Sequence, residues 1–408
     1  MAEDVWFLAT KDEIREGKTT DIYFLRTQTI LQNESLDKEV YAELTASTIE
    51  GSDWGVVAGV EDVIELLIDK PIDVYALQEG TFFPQYDING VKIPVLGIVG
   101  KYLDFGKFET PILGFLSSKS GMTTKSVRIR QAAGNKMVLS FGARRAHPAI
   151  TPVVSYCAYI GGCDGISCVL GAEKLNLTPT GTIPHALIIL FQDQVKAWKA
   201  FDKHIDSTVP RIALVDTYFD EKSEAIMAAD TISNLSGVRL DTPSSRKGDF
   251  RRIIQEVRWE LDIRGYKNVQ IFISGGLGEK EVRKLNDVVD GFGIGSAISA
   301  AAPIDFALDI VALKENINTW QPVAKRGKFS GRKQVAKCQS CFRVQVIPWE
   351  SNAPACPECK KSMKLELIKV IEGGKRVTEK PTFVSSRKYI KNQLAILNKL
   401  EGEFFQVR

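Results

Sequence analysis

Between residues 126 and 320, short apolar runs alternate with helical patterns, and this alternation limits the fold more than any other feature of the chain. Each run ends in polar residues or glycines before the next helical pattern begins. Strands that alternate with helices in this order form a parallel sheet or barrel. The clearest runs are "RIALVDT" (211–217), "GVRLDT" (237–242), "VQIFISGGLG" (269–278) and "DGFGIGS" (290–296).

Charged residues lie where these strands are expected to end, and in a (β/α) barrel the active-site loops are at the carboxyl ends of the strands. Arginine side chains suit pyrophosphate or carboxylate, whereas aspartates suit ribose hydroxyls or Mg²⁺. Any one of these charged residues, taken alone, is compatible with a surface ion pair. Together they predict a phosphorylated sugar as substrate. They are Arg144, Arg145, Asp164, Asp216, Arg239 and Asp241.

Two glycine-rich turns, "SGGLG" (274–278) and "GFGIGS" (291–296), follow consecutive predicted strands. Glycine lets backbone N–H groups approach an anion closely, so the pair predicts a phosphate site. Either turn alone is equally compatible with simple chain reversal. The strict GxGxxG spacing of dinucleotide-binding proteins is absent. The expected phosphate-binding residues are Gly275, Gly276, Gly293, Gly295 and Ser296.

His185 is one of three histidines in the chain and lies in "GTIPHALIIL" (181–190). Taken alone, it is compatible with a structural histidine whose ring is satisfied by a nearby carbonyl. It also stands at an expected strand-to-helix junction, which would place its imidazole on the ligand-binding face. Apolar residues at helical spacing predict the helix that follows. They are Leu187, Leu190, Phe191, Val195, Trp198 and Phe201.

Near the end of the chain, two CxxC pairs are separated by fourteen residues: Cys338, Cys341, Cys356 and Cys359. This spacing is typical of a structural Cys₄ zinc ribbon. The segment 323–337 before it carries six basic and no acidic residues, which leaves open an RNA-binding function. However, lysine and arginine exceed aspartate and glutamate by only 53 − 50 = +3, which opposes nucleic-acid binding as the main function.

The first residues lack a basic start followed by an apolar core, and no apolar stretch is long enough to span a bilayer. We therefore expect a cytoplasmic protein without a membrane partner. Residues 1–125 mix strand and helix patterns and are predicted to form a mixed α/β N-terminal domain. We expect the catalytic α/β domain over 126–320 and a C-terminal region over 321–408 that contains the basic segment and the zinc ribbon.

Seven stretches, in this order along the chain, resemble the nicotinate phosphoribosyltransferase family. They are "TDIY" (20–23), "FGARRA" (141–146), "YIGGCDGISCVLG" (159–171), "GTIPHAL" (181–187), "GVRLD" (237–241), "SGGLG" (274–278) and "GRK" (331–333). The resemblance implies a type II phosphoribosyltransferase with an irregular (β/α) barrel. The reaction it implies joins nicotinate to 5-phosphoribosyl 1-pyrophosphate, with Mg²⁺ present and with ATP hydrolysis coupled to it. Nicotinamide or quinolinate remains an alternative base.

The resemblance also assigns roles to individual residues. Phe141 is expected to stack on the pyridine ring together with Tyr23 of a second subunit, so a dimer or a larger assembly of dimers is expected. Asp21 belongs to the same motif as Tyr23. Arg239 and Asp241 are expected to hold the ribose and the pyrophosphate. His185 matches the position that accepts a phosphoryl group from ATP.

Two features depart from the family pattern. Family members commonly follow the Arg-x-Asp strand with a short Ser-Gly-Asp turn, whereas this chain reads "RLDTPSSRKGDF" (239–250). The inserted residues leave open which acid takes the second position. Many relatives lack the four-cysteine ribbon, so the resemblance gives the ribbon no catalytic role.

Overall fold

The structure is a computed structural model that describes residues 6–317 and 319–400. The chain divides into two compact units. The first unit takes in the chain up to Thr124 and again from Ala302 onward, and the second unit is Lys125–Ala301. Among the described residues, no helix combines the length and the apolar composition that crossing a bilayer requires.

The strands of the described residues are given in chain order. They are β1 (Glu39–Thr48), β2 (Trp54–Val56), β3 (Asp73–Ala76), β4 (Phe82–Pro84), β5 (Pro94–Lys101), β6 (Met137–Ser140), β7 (Gly165–Ile166), β8 (Ile212–Leu214), β9 (Gly237–Leu240), β10 (Gln270–Ile273), β11 (Gly291–Ile294), β12 (Asp305–Asn316), β13 (Thr319–Pro322), β14 (Lys333–Cys338), β15 (Val344–Pro348), β16 (Met363–Leu365), β17 (Ile368–Glu372) and β18 (Lys375–Arg376).

The α-helices of the same residues are also given in chain order. They are α1 (Lys11–Arg15), α2 (Ile22–Asn33), α3 (Val60–Leu67), α4 (Tyr102–Phe105), α5 (Glu109–Ala133), α6 (Thr151–Ile160), α7 (Val169–Lys174), α8 (His185–Phe191), α9 (Gln194–His204), α10 (Glu221–Thr231), α11 (Ser244–Lys247), α12 (Phe250–Ile263), α13 (Glu279–Leu285), α14 (Ser296–Ser299) and α15 (Phe383–Lys399).

The second unit is built on a curled parallel sheet with the strand order β7-β6-β11-β10-β9-β8. Its central strands are buried along nearly their whole length, as expected of a parallel sheet covered by helices. Helix α12 shows how that cover forms, because Ile254, Val257 and Leu261 recur on one face and are fully buried. Each such side chain contributes about 1.5–3 kcal/mol by burial. The predicted α/β barrel class is confirmed as a half-barrel.

The first unit is a mixed α/β domain around a largely antiparallel sheet with the order β13-β12-β1-β5-β3-β17-β18. Apolar residues from this sheet and from α3 form a continuous core that includes Leu44, Ile64 and Ile98. A smaller antiparallel sheet, β15-β14-β16, carries the cysteine-rich segment.

The unit boundaries differ from the predicted domains 1–125, 126–320 and 321–408. Strand β12 pairs with β1 over most of its length, and β13 pairs with β12, so the chain returns to the first unit near residue 302. Strand β17 then pairs with β3 of the same unit, so 321–408 is not a separate unit. Sequence periodicity missed this return because strand pairing between distant segments leaves no local signal.

The sequence predicts one helix after His185, whereas the structure has two, α8 and α9. Gln192 adopts a left-handed conformation with φ 54°, which ends α8, and Asp193 caps α9 by accepting the N–H of Lys196. Trp198 and Phe201 are buried on α9 as the spacing predicts, whereas Leu190 on α8 is 81% exposed. Helix α8 therefore buries Ile188 in the core but exposes Ile189, Leu190 and Phe191 at the surface.

Candidate active site

The carboxyl ends of β8, β9 and β10 place three polar residues side by side. Because the strands are parallel and Leu214 is in register with Arg239, Asp216 comes next to Asp241. The Asp241 N–H donates to Asp216 Oδ2 at 2.7 Å. On the other side, the Ser274 hydroxyl donates to Asp241 Oδ1 at 2.6 Å. The sheet register thus fixes both carboxylates at one edge.

The loop after β8 is held by a buried carboxylate on α10. Glu224 is fully buried and accepts the backbone N–H groups of Thr217, Tyr218 and Phe219 at 2.7–3.1 Å. This contact turns the loop so that the Asp216 and Thr217 side chains are presented beside β9. The sequence "DTYFDEKSE" gives no sign of this link, because Glu224 reads as an ordinary residue of a helix surface.

His185 begins α8 and faces both carboxylates. Its Nε2 lies 3.7 Å from Asp216 Oδ1 and 3.8 Å from Asp241 Oδ2, while Nδ1 is 3.0 Å from the Thr217 hydroxyl. Interaction with Asp241 raises the pKa of His185, against the opposing effect of partial burial, and Asp216 adds to the rise. The imidazole therefore lies beside two carboxylates that favour its protonated form.

The two carboxylates ionise differently. Burial raises the pKa of Asp216 to about 6, although the nearby His185 opposes the rise. Burial also disfavours the charged form of Asp241, but contacts with His185, Ser274 and Arg239 outweigh it and lower the pKa of Asp241 to about 2. Asp241 therefore carries a full negative charge at neutral pH. Asp216 Oδ1 is buried and has no hydrogen-bond partner among the described residues, so it is free to bind a ligand.

Arg239 and Phe141 form a second part of the site. The guanidinium of Arg239 lies 5.9 Å from the centre of the Phe141 ring and donates to Ser274 Oγ at 3.3 Å and to the Ile183 carbonyl at 3.2 Å. Burial lowers the pKa of Arg239, and the nearby charge of Arg144 lowers it further. Arg144 and Arg145 are both exposed in a 3₁₀ turn, and Arg144 is the one whose charge acts on Arg239.

The two stretches predicted as glycine-rich turns differ, because Gly275 and Gly276 form a turn after β10 whereas Gly293 lies within strand β11. Gly275 and Gly276 have φ of 82° and 67°, and a Cβ on Gly275 would lie 3.2 Å from Asp241 Oδ1. Gly293 lies under the Phe141 ring, since a Cβ there would come within 2.4 Å of the ring edge. Packing thus explains Gly293, and its predicted contact with phosphate stays a prediction. Gly295 precedes α14, of which Ser296 is the first residue.

Asp164 was expected at the same strand ends but does not join this group, and its role in substrate binding stays a prediction. It precedes β7 and therefore lies at the amino end of the sheet, opposite the other residues. There Asp164 Oδ2 accepts the Val138 N–H at 2.9 Å and the Arg130 guanidinium at 3.0 Å. Its role is to hold the start of β6.

Asp21 and Tyr23 belong to the first unit, at the start of α2. Asp21 accepts the Thr110 hydroxyl at 3.1 Å, and Tyr23 is 56% exposed and packs against Phe24. Their participation in the site stays a prediction. The insertion after β9 forms α11, and Asp249 at its end caps α12 by accepting the Arg252 N–H. The acid that follows the insertion is therefore used for helix capping.

Sequence reasoning missed three residues of this edge: Thr217, Ser274 and Lys247. Thr217 follows Asp216, and Ser274 precedes Gly275. Each is a hydroxyl residue next to a predicted site residue, and that position could have identified it. Lys247 lies in the insertion, and its Nζ donates to the Gly275 carbonyl. No local pattern indicated that α11 would come back to the glycine turn.

The four cysteines come together in a cluster of the kind that the zinc-ribbon spacing predicts. Their sulfur atoms lie within 4.8 Å of one another, and Cys338–Cys359 and Cys341–Cys356 approach to 3.4 Å. Tetrahedral zinc with Zn–S bonds of about 2.3 Å needs sulfurs about 3.8 Å apart, so the geometry fits zinc. Turns with positive φ at Phe342 and Lys360 bring each pair together.

The basic segment 323–337 is exposed over much of its first part and buried from Lys333 onward. Lys333 is buried and pairs with Glu43 at 3.0 Å, and the buried Lys337 donates to the Phe82 carbonyl at 2.8 Å. Lys325 and Lys328 both pair with Asp309. Since four of the six basic residues already have partners, the segment offers less free positive charge than its sequence suggests, which weakens the case for RNA binding.

Two family models cover most of the chain. Residues 21–120 match the N-terminal domain of quinolinate phosphoribosyl transferase, and residues 122–309 match its C-terminal domain. A Mycobacterium tuberculosis protein named nicotinate phosphoribosyltransferase is 31% identical over 344 residues, which cover 80% of this chain and 69% of that protein.

The solved structures that are similar to this chain carry two different names. A structure titled nicotinate-nucleotide pyrophosphorylase, from Pyrococcus furiosus, is 50% identical with a TM-score of 0.92, covering 97% of this chain and 99% of that one. The human nicotinic acid phosphoribosyltransferase structure has a TM-score of 0.69 at 18% identity, with 95% of each chain covered. The human structure supports the fold, and the more similar proteins support the family.

Proposed function

This chain belongs to the nicotinate phosphoribosyltransferase family, and we propose that it transfers the phosphoribosyl group of 5-phosphoribosyl 1-pyrophosphate to nicotinate. The products are nicotinate mononucleotide and pyrophosphate, which places the reaction in the salvage of NAD from nicotinate. The observation that carries the proposal is the group Phe141, Arg239, Asp241 and His185 at one sheet edge. It combines an aromatic ring, a cation and an ionised carboxylate around a histidine.

The transfer needs no protein nucleophile at the sugar. The bond from C1 of ribose to pyrophosphate loosens, its electron pair leaves with pyrophosphate, and the pyridine nitrogen forms the new bond to C1. The ribose becomes positively charged on the way. Asp241, which is ionised because its pKa is about 2, supplies a negative charge for this cation. Arg239, close to the Phe141 ring, is placed to bind the nicotinate carboxylate or the pyrophosphate.

Mg²⁺ fits the carboxylates of this edge. Carboxylate oxygens are the ligands that Mg²⁺ prefers, and the buried Asp216 Oδ1 has no partner among the described residues. Asp216 and Asp241 are the residues that would hold it. When bound, the ion supplies positive charge for the leaving pyrophosphate.

We further propose that His185 accepts a phosphoryl group from ATP. Its Nε2 faces the carboxylates, and the Thr217 hydroxyl at Nδ1 fixes the ring plane. Imidazole is nucleophilic only when a ring nitrogen is unprotonated. Asp216 or Asp241 takes the proton from Nε2, and Nε2 then forms the bond to the terminal phosphorus of ATP while the electron pair of the broken P–O bond leaves with ADP. Phosphorylated His185 would then favour the binding of the sugar substrate and drive the synthesis forward.

The site is proposed to be shared between two subunits, with Tyr23 of one stacking on the pyridine ring bound by the other. The exposure of Tyr23 and of Ile22 beside it on α2 supports this arrangement. Mixing Tyr23→Ala protein with His185→Ala protein, each of which is expected to lack ATP-stimulated activity, tests it by measurement of that activity. A shared site restores part of the activity in the mixed dimers, because one of the two sites then carries neither change, whereas a site within one chain restores none.

Quinolinate is the second candidate base, because the matching family models are described as quinolinate phosphoribosyl transferase. Quinolinate carries two carboxylates where nicotinate carries one, and its conversion to the same mononucleotide releases CO₂. Of the cations at the edge, Arg239 is the one that faces the Phe141 ring. One arginine beside the base suits one ring carboxylate, which favours nicotinate over quinolinate.

Product formation tests the proposal. The purified chain is incubated with nicotinate, the sugar pyrophosphate, Mg²⁺ and ATP, and the mononucleotide is measured by chromatography. We expect equal amounts of nicotinate mononucleotide and pyrophosphate. Absence of the mononucleotide with fully folded protein contradicts the proposal.

A further inference from the structure

The insertion between β9 and α12 sets this chain apart from the short turn typical of its family, and it returns to the sheet edge. Thr242 anchors its start by donating to Glu221 at 2.6 Å. Helix α11 follows, and Lys247 at its end donates from Nζ to the carbonyl of Gly275. The insertion thus delivers a cation to the glycine turn after β10.

Lys247 is an unusual cation for this part of the chain. Among the described residues, no carboxylate forms an ion pair with it, and its one hydrogen-bond acceptor is a neutral carbonyl. Two cations of the next helix, α12, do have carboxylate partners: Arg251 pairs with Asp287, and Arg258 pairs with Asp262 at 2.8 Å. An ammonium group has three donors, so most of the hydrogen-bonding capacity of Lys247 is unused.

The residues around Lys247 hold its ammonium group near the glycine turn. Lys247 is half-buried and its Nζ lies 5.0 Å from the centre of the Phe250 ring, which restrains the side chain. Burial lowers the pKa of Lys247, although the negative charges of Asp241 and Glu281 oppose this effect. A partly desolvated cation beside a glycine turn is stabilised by an anion. Gly276 is exposed, and a Cβ there would contact nothing, so the turn is open to a ligand.

We propose that Lys247 binds a phosphoryl group of the sugar substrate at the Gly275–Gly276 turn. The identity of the substrate in this inference rests on the proposed function. The assignment of Lys247 rests on the geometry of α11. The phosphoryl group is either the 5-phosphate of the ribose or the pyrophosphate, which share the same oxyanion chemistry. Lys247 exchanges its carbonyl acceptor for the anion when the substrate binds.

Binding measurements separate the two sources and do not need turnover. Calorimetric titration with ribose 5-phosphate reports the first, and titration with inorganic pyrophosphate in Mg²⁺ reports the second. Lys247→Gln keeps a donor for the Gly275 carbonyl but removes the charge, and Lys247→Arg keeps the charge. Lys267→Ala is the matched control, because it removes an exposed lysine before β10, at the opposite end of the sheet.

We expect Lys247→Gln to weaken one of the two ligands by about tenfold or more, as loss of a charge-assisted hydrogen bond does. Lys247→Arg should weaken that ligand less, and Lys267→Ala should leave both affinities unchanged. Equal affinities of the parent and Lys247→Gln proteins for both ligands, at an unchanged thermal midpoint, overturn the proposal. If the parent protein binds these ligands but forms no mononucleotide from nicotinate, the proposed function fails. The binding data still decide whether Lys247 contacts a phosphoryl group.

Discussion

The Nε2 atom of His185 lies 3.7 Å from a buried carboxylate oxygen of Asp216 that has no hydrogen-bond partner among the described residues. The two residues come from different βα units, α8 and the loop after β8. Asp216 is fixed by the Asp241 N–H, and the His185 ring is fixed by Thr217. A histidine that only capped a helix would not need two acidic neighbours, so the arrangement supports a chemical role.

Replacing His185 with alanine is expected to remove phosphohistidine and the stimulation by ATP while the fold is retained. The side chain is partly exposed, so its loss leaves no closed cavity in the core. Phosphohistidine is measured with γ-labelled ATP, and the stimulation as the ratio of rates with and without ATP. His204→Ala, an exposed histidine at the end of α9, is the control and should behave as the parent. Undiminished ATP coupling in His185→Ala would assign the histidine a structural role only.

The pKa of His185 is expected to depend on Asp241. Because contact with the ionised Asp241 raises this pKa, the imidazolium persists to higher pH than in a histidine with the ordinary value of 6.5. Stability from this pair is present below the ordinary pKa and is lost as the pH rises through the raised value. NMR titration of Asp241→Asn should show a lower pKa for His185, and Asp230→Asn should not. An unchanged value in Asp241→Asn contradicts the electrostatic account.

The sequence predicted an irregular (β/α) barrel, which the structure shows as a half-barrel, and it placed Asp216, Arg239 and Asp241 at strand ends. Both features have a local signal, because a buried parallel strand is an apolar run with a recognisable end. Asp164 was misplaced for the opposite reason. Strand β7 has two residues, too few to show which of its ends the aspartate occupies. The contributions of Lys247 and Glu224, and the return of β12 to the first unit, depend on contacts between distant segments. Such contacts are decided by packing and not by local pattern.

Adding a methyl group at Gly293 is expected to displace the Phe141 ring. A Cβ there would come within 2.4 Å of the ring, and a contact that short requires movement. Gly293→Ala should therefore lower kcat/KM for the base by about tenfold or more, mainly through KM. Gly114→Ala is the control, because a Cβ at that position has nothing within 4 Å. If Gly293→Ala has parent kinetics, Phe141 does not position the base.

Each chain is expected to hold about one zinc ion in the Cys₄ centre, which orders the segment around residues 335–365. Cys356→Ser removes one thiolate from a fully buried position and should lower both the zinc content and the thermal midpoint. Ser340→Ala, in an exposed position of the same turn, should change neither. Metal analysis after dialysis against a weak chelator gives the zinc content. Full stability of a zinc-free protein contradicts a structural role.

The most direct test of the proposed function is a comparison of nicotinate and quinolinate in one assay with the sugar pyrophosphate, Mg²⁺ and ATP. Mononucleotide, released CO₂ and ADP are measured together. The account predicts mononucleotide from nicotinate with ADP formed and no CO₂ released, at a kcat/KM at least about a hundredfold above that for quinolinate, as loss of a matched charged contact implies. Preferential use of quinolinate, with one CO₂ per mononucleotide and no ADP, would contradict it.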